Sequence, residues 1–325
     1  MEEPTTTVPK KRQIYVGKIT IVRRIVQIFV IIFLNAVFWD SFLKIDLSFF
    51  QSMFRFVPFL SSPRSTFSDS GGFLELMLGS MVARIVPFLL FGLIIFVTIV
   101  FGRATCGWLC PAGLIQDLFG WAGIATKNNR EMGITTHAYV SRLKNWILGL
   151  ILLFIVPFLF IADNNTYLQY VQVLGDFGKN PLGFWSLDEF LFVFVPTITQ
   201  DIATSGNLEL LLSNWLYIVQ GFFYLIIMIL TFYYPRFYCR YLCPYGAITR
   251  PFAKHAITAL SRNPTKCVGR KECGKCEKAC PMQIRILDES YTRISGNGEC
   301  ILCGNCKQVC DKEKYQAIEL SFFKS

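Results

Sequence analysis

Histidine is the scarcest of the chemistry-bearing residues in this chain: only His137 and His255 occur among 325 residues. Neither lies within a long apolar run, which excludes a haem held by two histidines inside a helical bundle. No Cys-x2-Cys-His occurs, so covalent haem attachment is excluded as well. Gly-x-Gly-x-x-Gly and Gly-x4-Gly-Lys-Ser/Thr are also missing, and with them the usual cradles for a nucleotide or a flavin dinucleotide. Charge is sparse too, at 17% against 53% hydrophobic residues and a mean hydropathy of +0.44. Such a chain is too apolar for an ordinary soluble domain. Acidic residues number 22 against 32 basic ones, a net charge of +10. Nucleic-acid binding would need those bases on an aromatic-laced groove. Here they flank apolar runs, so the excess reads as membrane topology and attraction to anionic lipid.

Crossing a bilayer takes about 20 predominantly apolar residues per helix. Four stretches qualify: Ile21–Phe42, Val82–Phe101, Trp146–Ala162 and Leu210–Tyr233. A fifth, Phe190–Ile198, is too short to span and reads as an interfacial or re-entrant piece. Lys10, Lys11, Arg12, Lys18, Arg23 and Arg24 precede the first run, which is too long for a signal peptide and so predicts a retained anchor. Basic residues dominate before helix one, between helices two and three, and after helix four, whereas the segment Asp163–Glu209 is acidic. The positive-inside rule then predicts both termini on the cytoplasmic side of the cell membrane. Lys44, Arg55 and Arg64, between helices one and two, point weakly the other way.

Cysteine is abundant, and none of the twelve is left over once they are sorted by spacing. Eight form Cys267-x5-Cys273-x2-Cys276-x3-Cys280-Pro281 and Cys300-x2-Cys303-x2-Cys306-x3-Cys310. This spacing resembles a bacterial-type two-cluster ferredoxin, in which three close cysteines wrap one cubane and the fourth reaches across to the other. The expected ligands are Cys267, Cys273, Cys276 and Cys310 for one [4Fe–4S] cluster, and Cys300, Cys303, Cys306 and Cys280 for the second. A zinc ribbon would show paired knuckles without a third close cysteine. The first gap is five residues long, and Asp311 stands where such runs have proline, adding negative charge near the first cluster. Two short βαβ-like halves are expected to surround the clusters.

The other four cysteines belong to an internal repeat. Arg103–Ile115 and Arg236–Ile248 share Arg-x2-Cys-x2-Leu-Cys-Pro-x-Gly-x-Ile, offset by 133 residues. A shared helix-end signal would explain arginine and proline, but not Cys106, Cys110, Cys239 and Cys243 in register. Pro111 and Pro244 suit the first helical position. Cys110 and Cys243 would then be N-caps, where the helix dipole and the nearby Arg103 and Arg236 favour thiolate. Four converging thiolates are a complete set for an Fe–S cluster or for tetrahedral zinc. A shared redox or Fe–S centre is preferred, followed by metal-free redox thiols and then a structural or zinc role. Trp108 and Tyr241 could line a quinone pocket and His137 or His255 could take a quinol proton, though ordinary surface roles are the commoner outcome. The Asn164-Asn165-Thr166 sequon is a weak signal.

Taken together, four predicted spans, two Cys-x3-Cys-Pro boxes and a two-cluster ferredoxin resemble the NapH/MauN-type membrane ferredoxins, whose core recurs in NosR-like and CcoG (RdxA/FixG-like) proteins. The resemblance covers helix one through Cys310. It implies an α-helical membrane protein of four transmembrane helices with a two-fold pseudo-repeat and a C-terminal α+β ferredoxin module. The expected divisions are a basic segment 1–20, a membrane domain 21–260 and a cytoplasmic 2[4Fe–4S] domain 261–325. The implied role is electron transfer from the quinol pool or a cytoplasmic donor to a respiratory partner, as a quinol dehydrogenase-type subunit among other subunits of a redox complex. A reductase for copper or iron maturation and a purely structural Fe–S anchor are the alternatives. The flavin-binding domain of NosR-like proteins is not expected, for want of room before helix one, nor is the added C-terminal domain of CcoG-like proteins, since about fifteen residues follow Cys310.

Overall fold

The computed structural model describes residues 17–35, 54–65, 70–206 and 215–322, together with the single residues 44, 49 and 52. Its first helix, α1 (Lys18–Leu34), is built inside out. The buried stripe is Arg23, Gln27, Val30 and Leu34, while Ile25 is 60% exposed and Ile28 50%. A water-soluble helix buries its apolar face; this one turns that face outward. The same inversion recurs in α3 (Phe88–Phe101), which buries only Ile94 and Thr98, and in α10 (Trp215–Tyr233), which buries Tyr224, Ile227 and Thr231. An apolar outer band of this kind marks a membrane-associated protein.

Among the described residues, two helices are long and apolar enough to cross a bilayer: Ile134–Leu159 and Trp215–Tyr233. The first contains α6 (Ile134–Val140), α7 (Leu143–Ile155) and a tight 3-10 turn over Val156–Leu159. It begins twelve residues before the expected Trp146. The expected span Val82–Phe101 is interrupted instead. Helix α2 (Phe73–Val82) stops, Arg84 turns into the left-handed region at φ 62°, and Pro87 caps α3. Proline cannot donate to the helical ladder, and the remaining 14 residues of α3 measure only about 21 Å at 1.5 Å per residue. Residues 36–42 of the first expected span and 210–214 of the fourth lie outside the described residues.

Two loops penetrate to the cysteine boxes. In the first, a minimal parallel pair, β1 (Phe56–Val57) and β2 (Gly71–Gly72), precedes α2. The second follows α8 (Asn164–Leu174) and leads into α9, formed by Leu187–Glu189, a π turn Phe190–Phe194 and Val195–Ser205 without a break. The expected short piece at Phe190–Ile198 is therefore the middle of this helix. Pro196 cannot bond to the carbonyl four residues before it, and the Phe192 oxygen accepts from Ser65 Oγ at 3.3 Å instead. Ser62 N donates to Asp188 Oδ2 at 2.9 Å, and Ser186 Oγ donates to Glu75 Oε1 at 3.5 Å, so each loop holds a carboxylate of the other half.

Each box is a short helix followed by a longer one. The first comprises α4 (Ala104–Trp108) and α5 (Pro111–Ala125), the second α11 (Phe237–Tyr241) and α12 (Pro244–Ala253). The C-terminal module has one antiparallel sheet rather than two βαβ-like halves. Strand β3 (Thr258–Arg262) pairs with β4 (Ile318–Phe322), from Thr258 opposite Phe322 to Arg262 opposite Ile318. The short α13 (Lys275–Ala279) and α14 (Asn305–Lys312) pack together beside it. Long loops tied to cysteines leave no length for more strands.

Candidate iron–sulfur site

Pro111 and Pro244 occupy the first turns of α5 and α12, with Cys110 and Cys243 as their N-caps. Cys243 Sγ accepts from Gly246 N at 3.4 Å. All four box cysteines are buried, at 8% exposure or less, and each acts electrostatically on others of the set. Gln116 ties one half to the other: its Nε2 lies 3.1 Å from Cys239 Sγ, and its Oε1 accepts from Cys239 N at 3.2 Å. The structure thus brings the two boxes together.

The arginines are exchanged between the boxes. Arg236, from the second box, reaches Cys106 O at 3.4 Å and lies where a Cβ on Gly113 would meet its Nη2 at 3.5 Å. Arg103, from the first box, lies where a Cβ on Gly246 would meet its Nη2 at 2.6 Å. Gly246 thus makes room for Arg103, whereas at Gly113 the close neighbour is Cys106 O at 2.9 Å and Arg236 is in ordinary contact. Both guanidiniums are essentially inaccessible, and each is anchored by one carboxylate. Asp117 accepts from Arg236 Nε and Nη2, both at 2.6 Å, from Arg24 Nη1 at 2.8 Å and from Arg23 Nη2 at 3.3 Å. Glu299 meets Arg103 at 2.6 Å, Lys144 at 2.5 Å and Arg250 at 3.2 Å. The Arg236 guanidinium, with Arg23 and Arg24, holds the Asp117 carboxyl well below the usual carboxylate range against the effect of burial.

The thiols behave differently from the sequence expectation. Burial pushes Cys110, Cys239 and Cys243 up, neighbouring box sulfurs add to the rise, and the helix N–H groups and arginines only partly oppose it. Desolvation of a charged sulfur outweighs a helix end here. Bare thiols would therefore stay neutral. Each anchor has three cations on one carboxylate, an excess of two positive charges, and both anchors flank the cysteines. That excess suits an anionic metal–thiolate set. Among the described residues no three His, Cys, Asp or Glu side chains are grouped to hold a single metal ion, and this holds for the boxes and for the C-terminal cysteines alike.

In the C-terminal module, Cys280, Cys300, Cys303 and Cys306 line one small cavity whose other walls include Leu260, Met282, Ile284 and Ile301. An apolar cavity lined by four sulfurs has the donor set of an Fe–S cubane. Burial pushes Cys300 up to about 12, and it also raises Cys306. The other four are more open. Cys267 and Cys273 act on Cys276, which burial first and Glu277 next push up to about 12, and Cys267 also acts on Cys310. Cys310 Sγ accepts from Ala317 N at 3.2 Å. Asp311 pairs with Lys307 at 2.9 Å, which offsets the negative charge expected beside this group.

The module is set directly on the first box. A Cβ on Gly107 would collide with Ile301 O, and Trp108 Nε1 donates to Leu302 O at 2.9 Å. Trp108 is therefore part of this junction. Tyr241, its counterpart, has its hydroxyl 2.7 Å from His137 Nδ1. Asp117, Gln116, Glu299 and Lys144 were not singled out from the sequence. Asp117 carries a readable signal: it sits two residues past the repeat, at the position matched by Arg250, where a buried arginine pair needs a counter-charge.

A family model for a 4Fe-4S binding domain matches twice, over residues 83–128 and 220–266, each time around one box. Two uncharacterized proteins of Methanocaldococcus jannaschii are similar to this chain. One is 28% identical over 211 residues, 65% of this chain and 62% of that protein; the other is 26% identical over 296 residues, 91% and 94% respectively. The ferredoxin-type protein NapH of Haemophilus influenzae is 26% identical over 236 residues, 69% of this chain and 65% of its own length. The chain is NapH-like. As the resemblance implied, it is similar to ferredoxin-type proteins such as NapH and carries two matches to a 4Fe-4S binding domain. The chain spans less than two thirds of NapH and of the first M. jannaschii protein. No solved structure matches this NapH-like chain.

Proposed function

We propose that this chain links the quinol pool, or a cytoplasmic donor, to a respiratory redox partner as the electron-carrying subunit of a larger membrane complex. The observation that carries the reading is the junction just described, where Gly107 of box one rests directly on the Ile301 backbone of the Cys300–Cys303 loop and Trp108 bonds to Leu302 O beside it. The loop that carries Cys300 and Cys303 thereby adjoins the box cysteines, and in this reading the sulfur sets pass electrons in turn. One-electron transfer is the chemistry that Fe–S clusters supply when bound. In this reading Cys267, Cys273, Cys276 and Cys310 hold one [4Fe–4S] cluster, Cys300, Cys303, Cys306 and Cys280 the other, and the four box cysteines a third centre. Arg103 and Arg236 neutralise thiolate charge, and the surrounding apolar packing excludes water. One quinol supplies two electrons, passed on one at a time, and releases two protons; His137, held by Tyr241 beside a cavity of about 640 Å³ that Arg240 and Glu299 also line, takes one proton and bulk water takes the other. Four helices cross the membrane, and the ferredoxin module with both termini lies on the cytoplasmic side.

The test is iron and acid-labile sulfide per chain in anaerobically purified protein, beside a variant with Cys106, Cys110, Cys239 and Cys243 all changed to Ser. Two cubanes give about eight irons, and a third centre adds about two to four that the variant loses. A soluble quinol analogue is expected to bleach the visible iron–sulfur absorbance of the parent. Full iron with bleaching by dithionite alone would overturn the quinol link, and unchanged iron in the variant would overturn the third centre.

A further inference from the structure

A cavity of about 440 Å³ opens between α1, α5 and the loop around Pro281. Its walls are apolar and face outward: Ile25 is 60% exposed, Trp121 52%, and Ile21 and Leu118 about half. Its floor is charged. Arg23, Arg24 and Asp117 line it, with Lys278 and Asn305 at the side of the ferredoxin module. Three guanidiniums share the single carboxylate of Asp117. Arg236 is turned toward the box through Cys106 O. Arg23 is left with one 3.3 Å contact to Asp117, while its Nε and Nη1 are buried without partners. A buried guanidinium nitrogen with no acceptor costs free energy, and an uncompensated buried charge costs more.

We infer that this cavity binds the headgroup of an anionic phospholipid, with the phosphate on Arg23 and Arg24 and the acyl chains over Ile21, Ile25, Leu118 and Trp121. A phosphate brings both the negative charge and the acceptor oxygens that the floor lacks. A neutral quinone brings only acceptors, and free phosphate leaves the apolar walls in water. Because Asp117 is shared between Arg23 and Arg236, the lipid is coupled to the arginine that overlies the first box. The site therefore gives the cysteine centre a lipid contact that does not depend on which donor or acceptor the chain serves.

The full chain, purified and delipidated in detergent, is titrated with dihexanoyl phosphatidylglycerol, dihexanoyl phosphatidylcholine, inorganic phosphate and a soluble ubiquinone analogue. Trp121 emission is read as the difference from Trp121→Phe, and bound lipid is counted by native mass spectrometry. Saturable binding of phosphatidylglycerol is expected, at least tenfold tighter than phosphatidylcholine. Arg23→Gln should weaken it about fivefold or more, since a basic residue at an anionic surface contributes about 1 kcal/mol. Arg23→Lys should recover part of the loss, and Arg285→Gln, an exposed arginine elsewhere, should change nothing. Iron content of each variant verifies the fold. Equal binding of both lipids, unchanged affinity in Arg23→Gln with iron retained, displacement by inorganic phosphate alone, or preferential binding of the quinone analogue would each overturn the assignment.

Discussion

The two boxes repeat each other in sequence, yet their arginines are anchored differently. Arg236 finds its carboxylate within the membrane domain, at Asp117 on α5. At the matched position of α12 stands Arg250, which supplies charge of the opposite sign. Arg103 therefore takes its carboxylate from Glu299 of the ferredoxin module, one residue before Cys300. Each anchor gathers three cations on one carboxylate. One anchor is complete inside the bundle, and the other is complete only when the module is seated. A duplicated motif has thus been made into one structural joint and one docking joint.

The comparison can be broken most severely at Asp117. Removing one partner of a buried pair leaves uncompensated charge and costs about 3–5 kcal/mol, so Asp117→Ala should abolish purification of an intact iron-loaded chain or lower its unfolding midpoint sharply. Asp117→Asn sharpens the cause through pH. The Asp117 carboxyl is held below its ordinary value in the folded chain. Its contribution is therefore fully present above the usual carboxylate range and is lost as pH falls through the lowered value. Thermal unfolding followed from neutral pH downward should show the wild-type advantage over Asp117→Asn shrinking toward acid. A constant gap would mean that Asp117 acts by shape.

Glu299→Gln should have an intermediate effect and a different character. The bundle keeps its own anchor, while the module loses charge pairing with Arg103, Lys144 and Arg250. Limited proteolysis near residues 254–258 should then become faster, with the Cys280/Cys300/Cys303/Cys306 iron lost ahead of the rest. Simultaneous loss of all iron would show that the two anchors are not independent. The smallest effect is expected at the surface pair Lys307–Asp311, with about a third of each side chain exposed. Lys307→Gln should cost no more than about 0.5 kcal/mol, and any change in cluster potential should fall on the Cys310 side alone.

Sequence showed the parts of this arrangement that repeat or keep a fixed spacing. The register of Cys106 with Cys239, the prolines at the first helical turn and the glycines at Gly113 and Gly246 all appear in the thirteen-residue repeat. What it concealed was the balance between competing terms. A helix end and an arginine predict a thiolate, but burial of Cys243 is decided by distant segments that bring no local signal. The interruption at Arg84–Pro87 was readable from proline and a charge at the start of an apolar run. The penetration of the loops at Pro58 and Trp185 was not, because each loop is held by a tyrosine hydroxyl of the second box, 187 residues away for Tyr245 on Pro58 O at 2.7 Å and 53 residues away for Tyr238 on Trp185 O at 2.6 Å.

The contact of Gly107 with Ile301 has a mechanical consequence. At this point backbone meets backbone, and the Trp108–Leu302 bond and the Glu299 ion pairs around it further restrain the module from tilting or sliding. An ordinary ferredoxin serves its partners by diffusing between them. This one is a socket fixed in place, with its half-buried face at Cys267, Cys273 and Cys276 turned to solvent and its buried face toward the bundle.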